Sequence, residues 1–170
     1  MKKILVLGDF NKKKISDSIS HLKPWFDKYV TVDIIDLSKK NTFETNDAEI
    51  AVVFGGDGAI LSTCRSLGRN QIPIIGVHMG RFGFLAELME YDVCASLEKI
   101  FRGDFRIRKR MLLLCHVERA GKIINRSLGI NDAVISRSSL SRLISIKLHI
   151  DGESVATYRA DGLIISTPLG

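Results

Sequence analysis

The chain has 170 residues, of which 45% are hydrophobic and 26% charged, with 14 Gly, 3 Pro and 3 Cys. This composition is typical of a globular protein and excludes a collagen, a coiled coil and a disordered chain. The net charge of +6 is uneven, because residues 1–100 carry 13 basic and 13 acidic side chains whereas residues 101–170 carry 12 and 6. A basic half attracts a nucleic acid or a phosphate-rich small molecule. Since no aromatic RNA-binding signature or basic helix accompanies the charge, we expect no nucleic-acid partner.

No apolar run approaches the roughly 20 residues of a membrane span, and the apolar stretch at residues 4–7 is too short for a signal peptide. We therefore expect a cytoplasmic protein with no membrane partner. Cys64, Cys94 and Cys115 lie far apart and form no C-x-x-C pair. This spacing indicates buried free thiols rather than a disulfide framework or a zinc site.

The first hundred residues alternate between compact apolar runs and amphipathic stretches, a pattern that predicts an α/β fold with a parallel sheet flanked by helices. The predicted strands are residues 3–8, 30–37, 49–54 and 73–77. The predicted helices lie within residues 13–26 and at residues 59–67 and 91–101. Helical spacing gives the first helix an apolar face of Ile15, Ile19 and Leu22, and the second one of Ile60, Leu61, Cys64 and Leu67.

The pattern changes near Gly103, where short apolar runs separated by turns replace the helices. The predicted strands are residues 111–117, 129–135, 143–150, 155–158 and 163–166, with turns at residues 120–122 and 151–152. We therefore place a domain boundary between residues 1–103 and 104–170. The second part is short for a β domain and ends in a strand that runs into a turn. We expect this antiparallel β-rich domain to be truncated, with sheet edges that pair with another chain.

A glycine-rich loop, Gly-Gly-Asp-Gly at residues 55–58, lies between a predicted strand and a predicted helix. Glycines there let a ligand approach the backbone, and the following helix N-terminus favours phosphate. A carboxylate beside phosphates is electrostatically unfavourable unless it holds a divalent cation or accepts the proton of an attacking hydroxyl. Asp57 therefore predicts phosphoryl transfer to an alcohol. The alternative is a tight turn in which Asp57 only caps the helix.

A second glycine-rich loop, at residues 76–85, follows the next predicted strand and should reach the same edge of the sheet. Phe82 or Phe84 either stacks on a base or fills the core. We interpret His78 as a polar loop residue rather than a catalyst. The pattern of this loop fits ligand contact and packing equally well.

Two polar pairs interrupt apolar runs in the second half of the chain. Asn131 and Asp132 offer the amide and carboxylate groups that suit ribose hydroxyls. The alternative for this pair is a bulge or a strand end facing water. Arg159 and Asp161 precede the last predicted strand, where a plain turn is the alternative.

Together these segments resemble the NAD kinase family, whose members transfer the γ-phosphoryl group of ATP to the 2′-hydroxyl of the adenosine ribose of NAD to make NADP. The resemblance rests on residues 55–58 (GGDG), 80–85 (GRFGFL), 131–132 (ND) and 159–168 (RADGLIISTP). The first motif also occurs in lipid kinases and phosphofructokinases, whereas the last is far more specific. The resemblance implies a nucleotide-binding domain at residues 1–103 and a β-rich domain for NAD binding and oligomerisation at residues 104–170.

The resemblance also implies the chemistry of the phosphate loop. Asp57 resembles the general base for the ribose hydroxyl, and Gly56 and Gly58 resemble the residues that shape the loop. ATP is then the phosphate donor. A divalent ion, Mg²⁺ by resemblance, is held largely by the nucleotide phosphates rather than by a protein cluster.

The other implied site residues contact the ligands. Asn131 and Asp132 resemble contacts to the adenosine part of NAD, and Asp161 resembles the contact to its nicotinamide end. Arg159 resembles a ligand residue near a neighbouring subunit's site in a homo-oligomer. The further ligand contacts implied are Phe84 and Arg142.

The chain departs from the family pattern at three points. Ala59 replaces the Thr or Asn that commonly follows the phosphate loop, and Asp132 replaces the usual Glu. The chain also ends where the family continues with a long β segment. Two alternatives therefore stand beside an NAD kinase: a non-catalytic NAD-binding or assembly fragment of such an enzyme, and a lipid kinase that shares the GGDG loop.

Overall fold

The computed structural model describes residues 1–39, 43–45, 47–80, 83–138 and 142–170. The chain divides into two compact units, Met1–Arg108 and Lys109–Gly170. The first contains a five-stranded parallel sheet with helices, and the second contains antiparallel strand pairs. The predicted α/β class with a β-rich second part is confirmed. None of the described helices combines the length and the hydropathy needed to cross a membrane.

The first unit follows a strand, helix, strand order. Its strands are β1 (Lys2–Gly8), β2 (Val30–Asp36), β3 (Ile50–Gly55), β4 (Ile74–His78) and β5 (Leu88–Met89). Its helices are α1 (Lys13–Tyr29), α2 (Asp57–Leu67) and α3 (Val93–Phe101), the last preceded by a 3₁₀ turn at Glu90–Asp92. The strand order is β2-β1-β3-β4-β5. Because this order reverses between β1 and β3, their carboxyl ends form the switch point at which such sheets bind ligands.

The core of this unit surrounds the two central strands. Residues 4–7 of β1 and 51–54 of β3 are 0% exposed, because helices cover both faces of the sheet. Helix α1 contributes to the buried cluster on one face, and its buried side chains include the predicted Ile15, Ile19 and Leu22. Helix α2 lies on the opposite face, where Ile60 approaches the backbone of Gly76.

Helix α2 differs from the prediction in its start and in its buried face. It begins at Asp57, two residues before the predicted start, and it ends at Gly68, which has a φ of 59°. Thr63 is buried on its inner face, while Leu61 is partly exposed. The short strand β5 has no predicted counterpart, because two residues are too few to show a period.

The cysteines are free, as predicted, but the prediction that all three are buried is wrong. Cys64 is buried, whereas Cys94 and Cys115 are partly exposed. Loss of hydration raises the pKa of the Cys64 thiol to about 11. Burial, and next the charge of Glu98, also raises the pKa of Cys94.

The second unit consists of three antiparallel strand pairs, β6 with β7, β8 with β11, and β9 with β10. The strands are β6 (Leu113–Arg119), β7 (Lys122–Gly129), β8 (Asp132–Ser136), β9 (Ile144–Ile150), β10 (Glu153–Ala160) and β11 (Gly162–Ser166). Both predicted turns are present, with positive φ at Ala120, Gly121, Asp151 and Gly152. Among the described residues of this unit, Ile130 is the one large apolar side chain that is buried.

Candidate functional site

The Gly-Gly-Asp-Gly loop lies at the carboxyl end of β3, beside the switch point of the sheet. Gly55 ends β3, Gly56 is the N-cap of α2, and Asp57 is the first helical residue. A Cβ added at Gly56 or at Gly58 would come within 4 Å of no described residue, and both residues are exposed. The first N–H groups of a helix lack partners within it. This loop therefore presents open backbone and a helix N-terminus, which suit an anionic group.

The Asp57 carboxylate bonds to the loop that follows β4 and does not cap its own helix. Its Oδ2 accepts the backbone N–H of Phe84 at 2.9 Å, and its Oδ1 accepts that of Leu85 at 3.0 Å. The alternative of a helix-capping Asp57 is therefore wrong. The carboxylate is partly exposed, and each oxygen keeps a lone pair after these bonds. It is thus available to accept a hydroxyl proton.

The second glycine-rich loop reaches the same site because β3 and β4 are paired neighbours, with Gly55 opposite His78. The Phe84 ring is 95% exposed, which excludes the core-filling role for it and leaves its face open for stacking. Phe82 and Arg81 lie outside the described residues. His78 is the buried last residue of β4, so its interpretation as a loop residue is wrong.

In the second unit, Asn131 lies in the short connection between β7 and β8, and Asp132 begins β8 as an exposed residue. The predicted single strand over residues 129–135 is therefore broken at this pair. Thr167 holds the connection: its hydroxyl donates to the Ile130 carbonyl, and its N–H donates to the Asn131 carbonyl at 2.7 Å. The Asn131 Oδ1 atom is buried and has no hydrogen-bond partner among the residues that the structure describes. Such an orphaned acceptor suits a donor group on a ligand.

Asp161 lies at the opposite end of the β8–β11 pair from Asp132. Its side chain pairs with Arg137 at 3.1 Å, and its carbonyl accepts the Arg137 N–H at 3.0 Å. Because Asp132 lies opposite Ser166 in this pair, the Asn131 and Asp161 groups are separated by the length of β8. The structure therefore does not bring these predicted ligand groups together at one point.

The two predicted arginine contacts lie on β9 and β10 or next to them. Arg159 is an exposed residue of β10, opposite Ser145 of β9. Arg142 is exposed and precedes β9 by two residues. Neither side chain has a hydrogen bond or an ion pair with another described residue, so their contacts do not indicate a ligand.

A metal site made of protein groups alone is not visible in the part of the chain that the structure describes, where no three His, Cys, Asp or Glu side chains converge. At the carboxyl end of β2, which neighbours β1, Asp36 accepts hydrogen bonds from Ser38 and from the Phe10 N–H. The bonds from Ser38, first among several causes, hold the pKa of Asp36 below its ordinary value.

Two family profiles match the chain. The profile of the ATP-NAD kinase N-terminal domain covers residues 8–105, and that of the ATP-NAD kinase C-terminal domain covers residues 130–170. The chain belongs to the NAD kinase family. The family resemblance read from residues 55–58, 80–85, 131–132 and 159–168 is thereby confirmed.

Curated NAD kinases are similar to this family member along most of its length. The chain is 34% identical to the NAD kinase of Rhodopirellula baltica over 168 residues, which cover 99% of the chain and 54% of that relative. It is 36% identical to the NAD kinase of Geobacter sulfurreducens over 180 aligned positions, covering 100% of the chain and 63% of the relative. The chain spans about half the length of the curated relatives it matches.

A solved NAD kinase-like structure has the same fold. The crystal structure of yeast NADH kinase complexed with NADH superposes with a TM-score of 0.82 at 20% identity, covering 100% of this chain and 58% of that one. At this identity the likeness concerns the fold.

Sequence reasoning missed two residues of this NAD kinase family member's candidate site. Gly83 lies against the Asp57 carboxylate, where an added Cβ would overlap it. Thr167 organises the Asn131 connection, and its Oγ also accepts the Leu169 N–H at 3.2 Å. The signal for Thr167 was present, because a Ser or Thr hydroxyl that accepts the N–H two residues later is a common turn device.

Proposed function

We propose that the protein is an NAD kinase, which transfers the γ-phosphoryl group of ATP to the 2′-hydroxyl of the adenosine ribose of NAD and so makes NADP. The single observation that carries this proposal is the Asp57 carboxylate, partly exposed beside open glycine backbone at the switch point of the sheet. Family membership supplies the chemistry in which such a carboxylate takes part.

In the proposed reaction Asp57 acts as the general base. Its carboxylate accepts the proton of the ribose hydroxyl while the hydroxyl oxygen forms a bond to the γ-phosphorus of ATP. The bond between the γ-phosphorus and the bridging oxygen breaks, ADP leaves, and Asp57 then returns the proton to water. Gly56 and Gly58 leave the backbone N–H groups of the loop open to the phosphates. A divalent ion carried by those phosphates would neutralise part of their charge.

The second unit is proposed to bind NAD. Asn131 and Asp132 would contact the adenosine part, and the buried unpartnered Oδ1 of Asn131 supports a ligand donor there. Asp161 would contact the nicotinamide end. The four residue steps from Asp132 to Ser136, the two ends of β8, correspond to about 13 Å, and Asp161 precedes Gly162, the residue opposite Ser136. That separation suits the two ends of a dinucleotide and is too long for one nucleoside.

Further parts of the proposal rest on the sequence and the family. Residues 1–103 form the nucleotide-binding domain, and residues 104–170 form the domain for NAD binding and oligomerisation. Phe84 stacks on a ligand ring, which its 95% exposure supports. Arg142 and Arg159 contact the ligands, Arg159 near a neighbouring subunit in a homo-oligomer. A cytoplasmic location remains a prediction.

The experiment measures NADP formation from NAD, ATP and Mg²⁺ by the protein expressed from its complete gene. Asp57→Asn should lower kcat about 10²-fold or more, because the amide cannot accept the proton, while NAD binding by calorimetry changes little. Asp27→Asn is the matched control, since Asp27 is an exposed α1 residue paired only with Lys23 in the described ion pairs. Full turnover by Asp57→Asn would remove this base from the mechanism. NAD binding without NADP formation by the unmodified protein would favour the non-catalytic alternative.

A further inference from the structure

Two consecutive backbone amides converge on the Asp57 carboxylate. The N–H groups of Phe84 and Leu85 reach one oxygen each, at 2.9 and 3.0 Å. These bonds join the loop after β3 to the loop after β4 across 27 and 28 residues of chain. A carboxylate held at both oxygens cannot rotate freely about its Cβ–Cγ bond. Its remaining lone pairs are therefore aimed in fixed directions.

The close approach depends on the residue that precedes these amides. A Cβ built on Gly83 would lie 2.5 Å from the Asp57 Cγ and Oδ2 atoms, well inside van der Waals contact. The backbone of Gly83 is not in the left-handed region. Glycine is thus needed here for space beside the carboxylate and not for its φ angle.

We propose that Gly83 is a positioning residue for phosphoryl transfer, because its missing side chain lets the amides of Phe84 and Leu85 hold Asp57. This inference rests on the proposed function of Asp57 as the general base. An added methyl group displaces the carboxylate, which is the mobile end of a side chain, and leaves the backbone in place. The substitution should therefore lower the rate of phosphoryl transfer and leave the fold unchanged. Misplacement of a catalytic group by about 1 Å lowers rates about 10²-fold.

The chain offers a matched control three residues earlier. A Cβ added at Gly80 would meet none of the described residues within 4 Å, and Gly80 also lacks a positive φ. Gly80→Ala and Gly83→Ala therefore make the same change in chain entropy within one loop. They differ in whether the new methyl group overlaps the Asp57 carboxylate.

The first test is steady-state kinetics of the protein expressed from its complete gene. Gly83→Ala should lower kcat about 10- to 100-fold relative to Gly80→Ala, with KM values for NAD and ATP within about threefold and the same melting temperature. In the Asp57→Asn background, Gly83→Ala should cause no further loss, because the two changes act through one group. Active Asp57→Asn would overturn the general base itself. Inactive Asp57→Asn together with a Gly83→Ala variant as fast as Gly80→Ala would overturn the positioning role alone.

The second test does not depend on turnover. Amide hydrogen exchange of Phe84 and Leu85, followed by NMR on this chain, should be faster in Gly83→Ala and in Asp57→Ala than in Gly80→Ala. If the two amides exchange equally fast in Gly83→Ala and in Gly80→Ala, the added methyl group does not break the contact with Asp57. That result would overturn the inference even if kcat falls.

Discussion

The Thr167 hydroxyl is expected to hold the connection that carries Asn131. The residue is 4% exposed, its hydroxyl donates to the Ile130 carbonyl, and its Oγ accepts the Leu169 N–H at 3.2 Å. Thr167→Val keeps the shape of the side chain and removes both hydrogen bonds. The Ile130 carbonyl and the Leu169 N–H then lose their hydrogen-bond partner in a largely buried environment.

The size of the effect follows from those two lost bonds. A net contribution of about 1 kcal/mol for each, plus the desolvation of groups left unpaired, gives a local destabilisation of about 2–3 kcal/mol. At about 1.4 kcal/mol for each tenfold change, this corresponds to about a 30- to 150-fold change in an opening equilibrium. The change should be local, because the first unit has its own core around β1 and β3.

Amide hydrogen exchange on this chain measures the effect. The Thr167 N–H, which donates to the Asn131 carbonyl at 2.7 Å, should exchange about 30- to 150-fold faster in Thr167→Val. The amide of Val52 in β3 serves as the internal reference and should not change. Thr167→Ser, which keeps the hydroxyl, should retain most of the protection. Equal protection in Thr167→Val and Thr167→Ser would refute the hydroxyl's role, and a uniform loss that includes Val52 would refute its locality.

Three further predictions follow from the described residues. The pKa of Asp36 is lowered mainly by Ser38, so its stabilising effect is present above the ordinary value of 3.8 and is lost as the pH falls below it. Asp36→Asn should therefore flatten the acid limb of the melting-temperature profile, and an unchanged limb would contradict this. The pKa of Cys64 is about 11, so mass spectrometry after iodoacetamide treatment at pH 8 should find Cys115 labelled and Cys64 intact. Ala120 has a φ of 48°, so Ala120→Gly should raise the free energy of unfolding by about 0.5–1 kcal/mol in urea titrations, whereas a decrease would argue against strain there.

The central strands of the first unit could be predicted because a strand that is buried on both faces consists of consecutive apolar residues. Residues 4–7 and 51–54 are continuous apolar runs, and they are the strands that helices cover on both faces. The sequence predicts helix α2 from residue 59, directly after the Gly-Gly-Asp-Gly loop. In the structure the helix begins at Asp57, where the backbone has already turned at Gly56. Tertiary contacts, and not propensity, decide that boundary.

The second unit was predictable at its turns and less so at its strand ends. Asp151 and Gly152 both have positive φ, which agrees with the tight hairpin turn expected from the Asp-Gly pair. The sequence predicts a single strand over residues 129–135 because apolar residues flank the Asn131 and Asp132 pair. The strand is broken there because Thr167, from more than thirty residues later, takes the Ile130 and Asn131 carbonyls as its partners. No local pattern contains that information.

The contact between Asp57 and the Phe84 and Leu85 amides shows which part of a site is hidden from sequence reasoning. Every residue except proline has a backbone N–H, so the identities of residues 84 and 85 do not indicate that their amides donate to a carboxylate. Gly83 does carry a signal once its backbone is known. Gly68 has a φ of 59°, whereas Gly83 has no positive φ and yet an added Cβ there would overlap the Asp57 carboxylate. At Gly83 the missing side chain is therefore explained by a close neighbour, the Asp57 carboxylate that is the proposed general base.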